Sequence, residues 1–153
     1  MTPPRLHRVR ALLLTVLAAG CQTHAASCDS DPAIAAAQSA WQARHLDDYR
    51  FTWQQTCFCL PDAVQPIVVT VRHGAIVSAT DRSGTAVSDE VRSNLMTITA
   101  LYRYVDDAQC KAAEVRATAS KDGVPEKVHV DPSRSVADDE FDVTISEFDA
   151  GNR

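Results

Sequence analysis

The chain has 153 residues, of which 45% are hydrophobic and 23% are charged, and its formal net charge is −5. This length allows one domain and leaves no comfortable room for two. The excess of acid argues against nucleic-acid binding, because the phosphates would repel such a surface.

The first twenty residues have the pattern of an export signal. Residues 1–10 contain three arginines and no acid, and residues 11–19 are apolar apart from Thr15. This apolar run is too short to span a bilayer as a helix, which needs roughly 20 residues. Removing the signal takes away three of the 15 Lys and Arg residues and none of the 20 acids, so the mature chain is more acidic still.

Small residues then lead to Cys21, and residues 17–21 resemble a bacterial lipobox. In that motif the cysteine receives diacylglycerol and becomes the new N-terminus. Ala18 departs from the leucine that is usual at its position, and the leucine here stands one place earlier. The alternative is an ordinary signal cut near Ala26, which would release a soluble periplasmic protein.

We expect lipidation of Cys21, so that the protein contacts the membrane through its acyl chains alone. The residue after the cysteine is Gln22 and not aspartate, which argues against retention at an inner membrane. In a Gram-negative cell we therefore expect the protein on the outer membrane, facing the periplasm.

The sequence divides into a signal at 1–20, a tether at 21–30, a single domain at 31–148 and a frayed tail at 149–153. The domain opens with a predicted helix, from Asp31 to about residue 46. Aspartate is a favourable N-cap, and proline at the first helical position follows it. An apolar face with helical spacing comprises Ile34, Ala37 and Trp41.

The pattern then changes to period two and predicts a strand with an aromatic face, formed by Tyr49, Phe51 and Trp53. Counting on by twos reaches Cys57 and Cys59. Unless a bulge intervenes, both cysteines share the face of the aromatic residues. We therefore expect both sulfur atoms to point towards the interior of the domain.

A loop bracketed by two prolines comes next, followed by a predicted hairpin of Ile67–Arg72 and Ala75–Thr80. A His-Gly pair joins the two strands, and glycine tolerates the positive φ of a two-residue turn.

The second half of the domain repeats the order of elements found in the first. A polar loop at 81–89 precedes a predicted helix at about 95–106, and alternation then predicts strands at 115–119, 126–130 and 141–148. The order helix, three strands, helix, three strands predicts an α+β fold, an antiparallel sheet with two helices packed on one face.

Several of these features, taken in order, resemble a bacterial domain-of-unknown-function family of small secreted proteins and lipoproteins, DUF6174. They are Trp41 before Tyr49, Cys57-Phe58-Cys59, the valine-rich hairpin with Gly74, Ile98 with Leu101, Asp122-Gly123-Val124-Pro125, Val128-His129-Val130-Asp131, Asp139-Glu140 and the closing strand to Phe148. The resemblance implies a compact exported domain and implies no activity.

Apart from Cys21, the chain has four cysteines: Cys28, Cys57, Cys59 and Cys110. An even number in a small exported domain suggests two disulfides, and four cysteines allow three pairings. One arrangement joins Cys110 to one member of the close pair and Cys28 to the other. A bond between Cys57 and Cys59 is the alternative.

If Cys57 and Cys59 were reduced and exposed, their thiolates could instead bind a soft metal such as Cu(I) or exchange disulfides. The inward parity and the even count favour structural disulfides, so we predict no metal site and no cofactor.

No other group of residues predicts catalysis or metal binding. The histidines His45, His73 and His129 are dispersed and lack a second ligand at zinc spacing. The acids between 131 and 142 do not follow a calcium loop, because its central glycine is missing. Neither a Gly-x-Ser-x-Gly elbow nor a phosphate loop occurs. The aromatic residues are expected to fill the core of so small a domain.

The sequence therefore predicts a lipid-anchored envelope protein without enzymatic activity, which serves as a binding or structural module and has an envelope protein as a candidate partner. The alternative is a thiol-dependent redox or copper-handling function at Cys57 and Cys59.

Overall fold

The computed structural model describes residues 30–57 and 61–151. The elements are helix α1 (Pro32–Ala43), strand β1 (Tyr49–Thr56), helix α2 (Pro61–Val64), strands β2 (Ile67–Arg72) and β3 (Ala75–Thr80), helices α3 (Asp89–Ser93) and α4 (Ile98–Gln109), and strands β4 (Glu114–Ala119), β5 (Pro125–Asp131) and β6 (Phe141–Asp149). Within these ranges no helix combines the length and the apolar character that a membrane crossing requires.

The six strands form one antiparallel sheet in the order β3-β2-β1-β6-β5-β4. Each half of the chain contributes a three-stranded meander, and the two meanders join where β1 pairs with β6. The predicted α+β class with an antiparallel sheet is confirmed. The predicted element order is wrong in detail, because α2 and α3 are additional short helices in segments predicted as loops. Pro61 provides the preset φ of a first helical turn, and the Ser88 hydroxyl caps α3 by accepting from the Val91 amide.

The inward face of the sheet carries the predicted aromatic residues. Tyr49, Phe51 and Trp53 on β1 are each at most 2% exposed. Trp41 of α1 meets Tyr49 edge to face, with the ring centroids 5.2 Å apart. The prediction that these rings fill the core is confirmed.

Helix α4 supplies the largest helical share of the core, and its buried residues are Ile98, Leu101, Tyr102, Val105 and Ala108. The Thr97 hydroxyl accepts from the Ala100 amide, so α4 begins later than the apolar pattern predicted. The Tyr49 hydroxyl accepts from the Ile98 amide at 3.1 Å and thereby ties β1 to the first turn of α4.

The irregularity in the pairing of the two central strands lies in β6 and not in β1. Between Arg50 and Thr52 the pairing partner moves from Asp149 to Ser146, so the extra residue is in β6. Glu147 absorbs it with a φ of 51°. Cys57, directly after β1, is half-buried, whereas Thr56 before it is exposed.

The β2–β3 hairpin is the element that the sequence predicts most closely. His73 and Gly74 have φ values of 51° and 73°, as a two-residue type I′ turn requires. Both strands have the predicted bounds.

The outer edge of β3 is covered by the chain that follows it. The Val87 amide donates to the Ala79 carbonyl oxygen at 3.1 Å, and Thr80 forms a bridge with Ala86. Arg92 of α3 donates to the Ile76 carbonyl oxygen at 3.0 Å. These contacts satisfy backbone groups that an edge strand otherwise exposes.

Candidate functional site

A cleft of the described domain lies between α1, α4 and the strands β4 and β5, with a volume of about 550 Å³. Its helical wall is a face of small residues on α1: Ala33, Ala36, Ala37 and Ala40. The opposing wall includes Ala117 and Ala119 of β4. Space remains between the helix and the strand because the facing side chains are alanine methyl groups, which are too short to fill it.

The floor of the cleft is part of the hydrophobic core. Ile34, Leu101, Val105 and Val128 line it and are each at most 3% exposed. Exposure increases towards the mouth, where the exposed residues Ala36, Thr118 and Lys121 lie. The cleft is therefore an apolar hollow that opens to solvent along an edge of the sheet.

Tyr102 is the one aromatic residue in this lining, and its hydroxyl has a partner. It donates to the Gly123 carbonyl oxygen at 2.9 Å. Burial raises the pKa of Tyr102 to about 12, so the phenol stays protonated at neutral pH. A neutral hydroxyl already in a hydrogen bond is a poor general base.

The end of the cleft is closed by the β4–β5 turn, which packs directly against α1. Gly123 has a φ of 74°, and a Cβ built there would lie 2.3 Å from both the Ala37 carbonyl oxygen and the Trp41 amide nitrogen. Only glycine permits this approach of the turn to the helix backbone. The glycine fixes the distance between the turn and the alanine face of α1.

Two hydrogen bonds between side chains hold α1 against α4 and so fix the other dimension of the cleft. The Gln38 amide donates to the Asp106 carboxylate at 2.7 Å. The Trp41 indole donates to the Thr99 hydroxyl at 3.1 Å. The walls are therefore positioned by specific contacts outside the cleft itself.

Of the predicted cysteine sites, Cys57 and Cys110 are described by the structure, and both lie away from this cleft. Cys57 is half-buried and Cys110 is exposed at the C-cap of α4, and each is disulfide-bonded. Neither lines the cleft. Cys21, Cys28 and Cys59 lie outside the described residues.

The histidines are dispersed, and the sequence did not reveal the partner of His129. His129 Nδ1 lies 2.8 Å from an Asp142 carboxylate oxygen across neighbouring strands β5 and β6. Their spacing along the chain gave no signal, because the contact depends on sheet register. His45 and His73 are exposed at the ends of α1 and β2. The described part of the chain contains no group of three His, Cys, Asp or Glu side chains that could hold a metal ion.

The cleft, too, was not predicted from the sequence. The sequence feature that indicates the cleft is an alanine-rich helix together with a strand whose inward residues, Ala117 and Ala119, are small. This feature predicts a cleft only when α1 is known to face β4, because alanines that face large side chains leave no space between the elements.

Comparison with known proteins yields a family and no close relative of known function. The model of a family of unknown function (DUF6174) matches residues 33–150. No curated protein and no solved structure matches the chain.

Proposed function

This chain belongs to DUF6174, a family of unknown function, and we propose that its domain is a non-catalytic binding module held at the bacterial cell envelope by lipid on Cys21. The cleft between α1 and β4 is its binding site. The observation that carries this proposal is an apolar hollow of about 550 Å³ whose walls are fixed by contacts outside it. Ligand sites are commonly preformed, mostly apolar clefts of roughly 300–1,000 Å³.

Part of this proposal is the finer architecture, in which both long helices cover one face of the sheet. The buried residues of α1 and α4 belong to the same hydrophobic cluster as the inward residues of the strands. Of the residues that alternate with them on the strands, Arg50, Lys127 and Thr144 are exposed, whereas Thr52 is buried and its hydroxyl donates to Glu147. A single covered face leaves the second face polar, as in many antiparallel sheets.

The envelope location rests on the N-terminal sequence. Three arginines, a short apolar run and the small residues before Cys21 form a lipoprotein signal. The tether at 22–30 then connects the lipidated cysteine to the first helix. The proposal places the domain on the periplasmic face of the outer membrane, where an envelope protein is a candidate partner.

A non-catalytic role is consistent with the chemistry of the cleft. Tyr102 is its only titratable side chain apart from Lys121, and the hydroxyl of Tyr102 is already hydrogen-bonded to Gly123. Disulfide bonding of Cys57 also argues against copper handling, because Cu(I) binding needs that sulfur as a thiolate.

The test uses a neutral naphthylamine dye whose fluorescence rises in apolar surroundings. The full chain with Cys21→Ser carries no acyl group of its own and should bind the dye saturably. Filling the cleft by Ala117→Leu should abolish binding. The matched control is Ala75→Leu, at an exposed position of β3 outside the cleft, and should bind as before.

Thermal unfolding of each variant checks that the fold is intact. The proposal fails if the dye does not bind to the parent chain, or if a folded Ala117→Leu variant binds it equally well.

A further inference from the structure

Among the described residues, no buried side-chain nitrogen or oxygen atom that lines the cleft lacks a hydrogen-bond partner. The Tyr102 hydroxyl donates to Gly123, and the Ser120 hydroxyl accepts from the Val124 amide at 3.2 Å. Among the described residues, the buried side-chain oxygen without a partner is Oδ1 of Asp139, which does not line the cleft. A polar group inserted here would lose its hydrogen bonds to water without replacement. Hydrocarbon therefore matches the buried part of the cleft better than a polar group does.

The lining also limits the shape of that hydrocarbon. Its apolar part consists of alanine, valine, leucine and isoleucine side chains with one proline, and Tyr102 adds a single ring. Thr118, Ser120 and Lys121 complete the lining. The large aromatic residues of β1 lie in the core and take no part in it. Stacking partners for a flat aromatic ligand are thus scarce, and an aliphatic chain fits the surface that is present.

The mouth of the cleft carries one charge, and it is positive. Lys121 is the only charged residue in the lining, although the chain has 20 acids and 15 Lys and Arg residues. Lys121 is exposed and takes part in none of the ion pairs among the described residues. The neighbouring Asp122 lines a different hollow, which it shares with Arg44. An anionic head group would complement this rim.

We propose that the cleft binds a free fatty acid, with its hydrocarbon chain on the floor and its carboxylate beside Lys121. This inference rests on the binding function proposed above for the same cleft. The floor residues Ile34, Leu101 and Val128 contact the chain, and the ammonium group of Lys121 contacts the head.

The first experiment measures displacement of the naphthylamine dye by octanoate, decanoate and laurate, each below its critical micelle concentration. Burial of one methylene contributes about 0.8 kcal/mol, so each added methylene should lower the dissociation constant about fourfold until the cleft is full. Affinity that does not depend on chain length would overturn the inference.

The second experiment tests the head group by comparing laurate with dodecanol. Lys121→Gln should weaken laurate binding about threefold, as expected for an exposed charge pair, and leave dodecanol binding unchanged. Lys121→Glu should weaken laurate binding further. The matched control, Lys127→Gln, removes an exposed lysine of β5 that does not line the cleft and should alter neither ligand.

The outcomes separate this inference from the proposed function. If the dye binds, Ala117→Leu abolishes its binding, and laurate and dodecanol displace it equally in all lysine variants, the cleft is a binding site but not a fatty-acid site. If the parent chain takes up no dye, the binding function itself is wrong.

Discussion

Gly123 touches the backbone of α1 at Ala37 so closely that a Cβ at position 123 would lie 2.3 Å from the Ala37 carbonyl oxygen. The contact joins two segments far apart in the chain, the first helix and the β4–β5 turn. It accounts physically for the glycine in the Asp-Gly-Val-Pro segment, which the sequence alone suggests only as a turn.

We expect Gly123→Ala to destabilise the domain strongly, because the new methyl group must displace either the turn or α1. The positive φ alone costs an L-residue about 1–2 kcal/mol, and the steric overlap adds to this. Denaturant unfolding of oxidised protein measures the change. The matched control is Gly84→Ala, where φ is 89° and nothing lies within 4 Å of the added methyl group. This variant should lose only the stability that the positive φ costs. Equal losses in the two variants would contradict the importance of the close contact.

Tyr102→Phe tests the other contact of the same turn. The substitution removes the hydroxyl that donates to Gly123 and leaves its buried carbonyl oxygen without that partner. We expect a loss of about 1–3 kcal/mol in the free energy of unfolding, measured by denaturant titration at neutral pH. A variant as stable as the parent would show that water replaces the hydroxyl.

The pH dependence of stability should also change in Tyr102→Phe. The pKa of Tyr102 rises from 10.0 to about 12 on folding, so the folded state holds the proton more tightly than the unfolded state. The resulting stabilisation is complete below pH 10 and is lost as the pH rises towards 12. Unfolding between pH 9 and 12 should therefore depend less steeply on pH in Tyr102→Phe. Burial also raises the pKa of Tyr49 and Tyr104, so some dependence should remain.

If all four cysteines of the mature domain are in disulfides, a thiol titration should find none of them free. We expect the lipidated protein isolated from cells to have no free thiol at Cys28, Cys57, Cys59 or Cys110, with or without denaturant. Cys110→Ser should lower the free energy of unfolding by about 2–4 kcal/mol, because one cross-link of the unfolded chain is lost. Two accessible thiols in the native parent protein would instead favour the redox or copper-handling alternative.

Lipidation of Cys21 predicts detergent partitioning of the protein. The parent chain produced in a Gram-negative host should incorporate an alkyne-tagged palmitate and enter the detergent phase on phase separation. Cys21→Ser should do neither, whereas Ala26→Leu, which impairs an ordinary cleavage site near Ala26, should still do both. Incorporation of label by Cys21→Ser would refute the assignment of this cysteine.

Local patterns made most of the fold predictable. The bounds of β2 and β3 follow from a run of β-branched residues and from a turn whose two residues adopt positive φ. The aromatic face of β1 was likewise evident from period two. The short helices α2 and α3 were missed because one turn of helix leaves almost no periodic signal, and a capping serine such as Ser88 is equally common in loops.

The candidate site was less predictable because each of its parts depends on contacts distant in sequence. The hollow exists because α1 faces β4, and its closed end exists because Gly123 meets Ala37. The pairing of His129 with Asp142 likewise depends on the register of β5 against β6. A single sequence reports periodicity within an element but not which elements meet.

The covered edge of β3 limits how this protein can self-associate. Open-ended growth of stacked sheets requires each molecule to offer two free edges, one to the molecule before it and one to the molecule after it. Here the Arg92 side chain and the Val87 amide already donate hydrogen bonds to carbonyl oxygens of β3. Even at high local concentration, pairing of folded molecules through strand edges should stop at two molecules and should not extend into an open-ended stack of sheets.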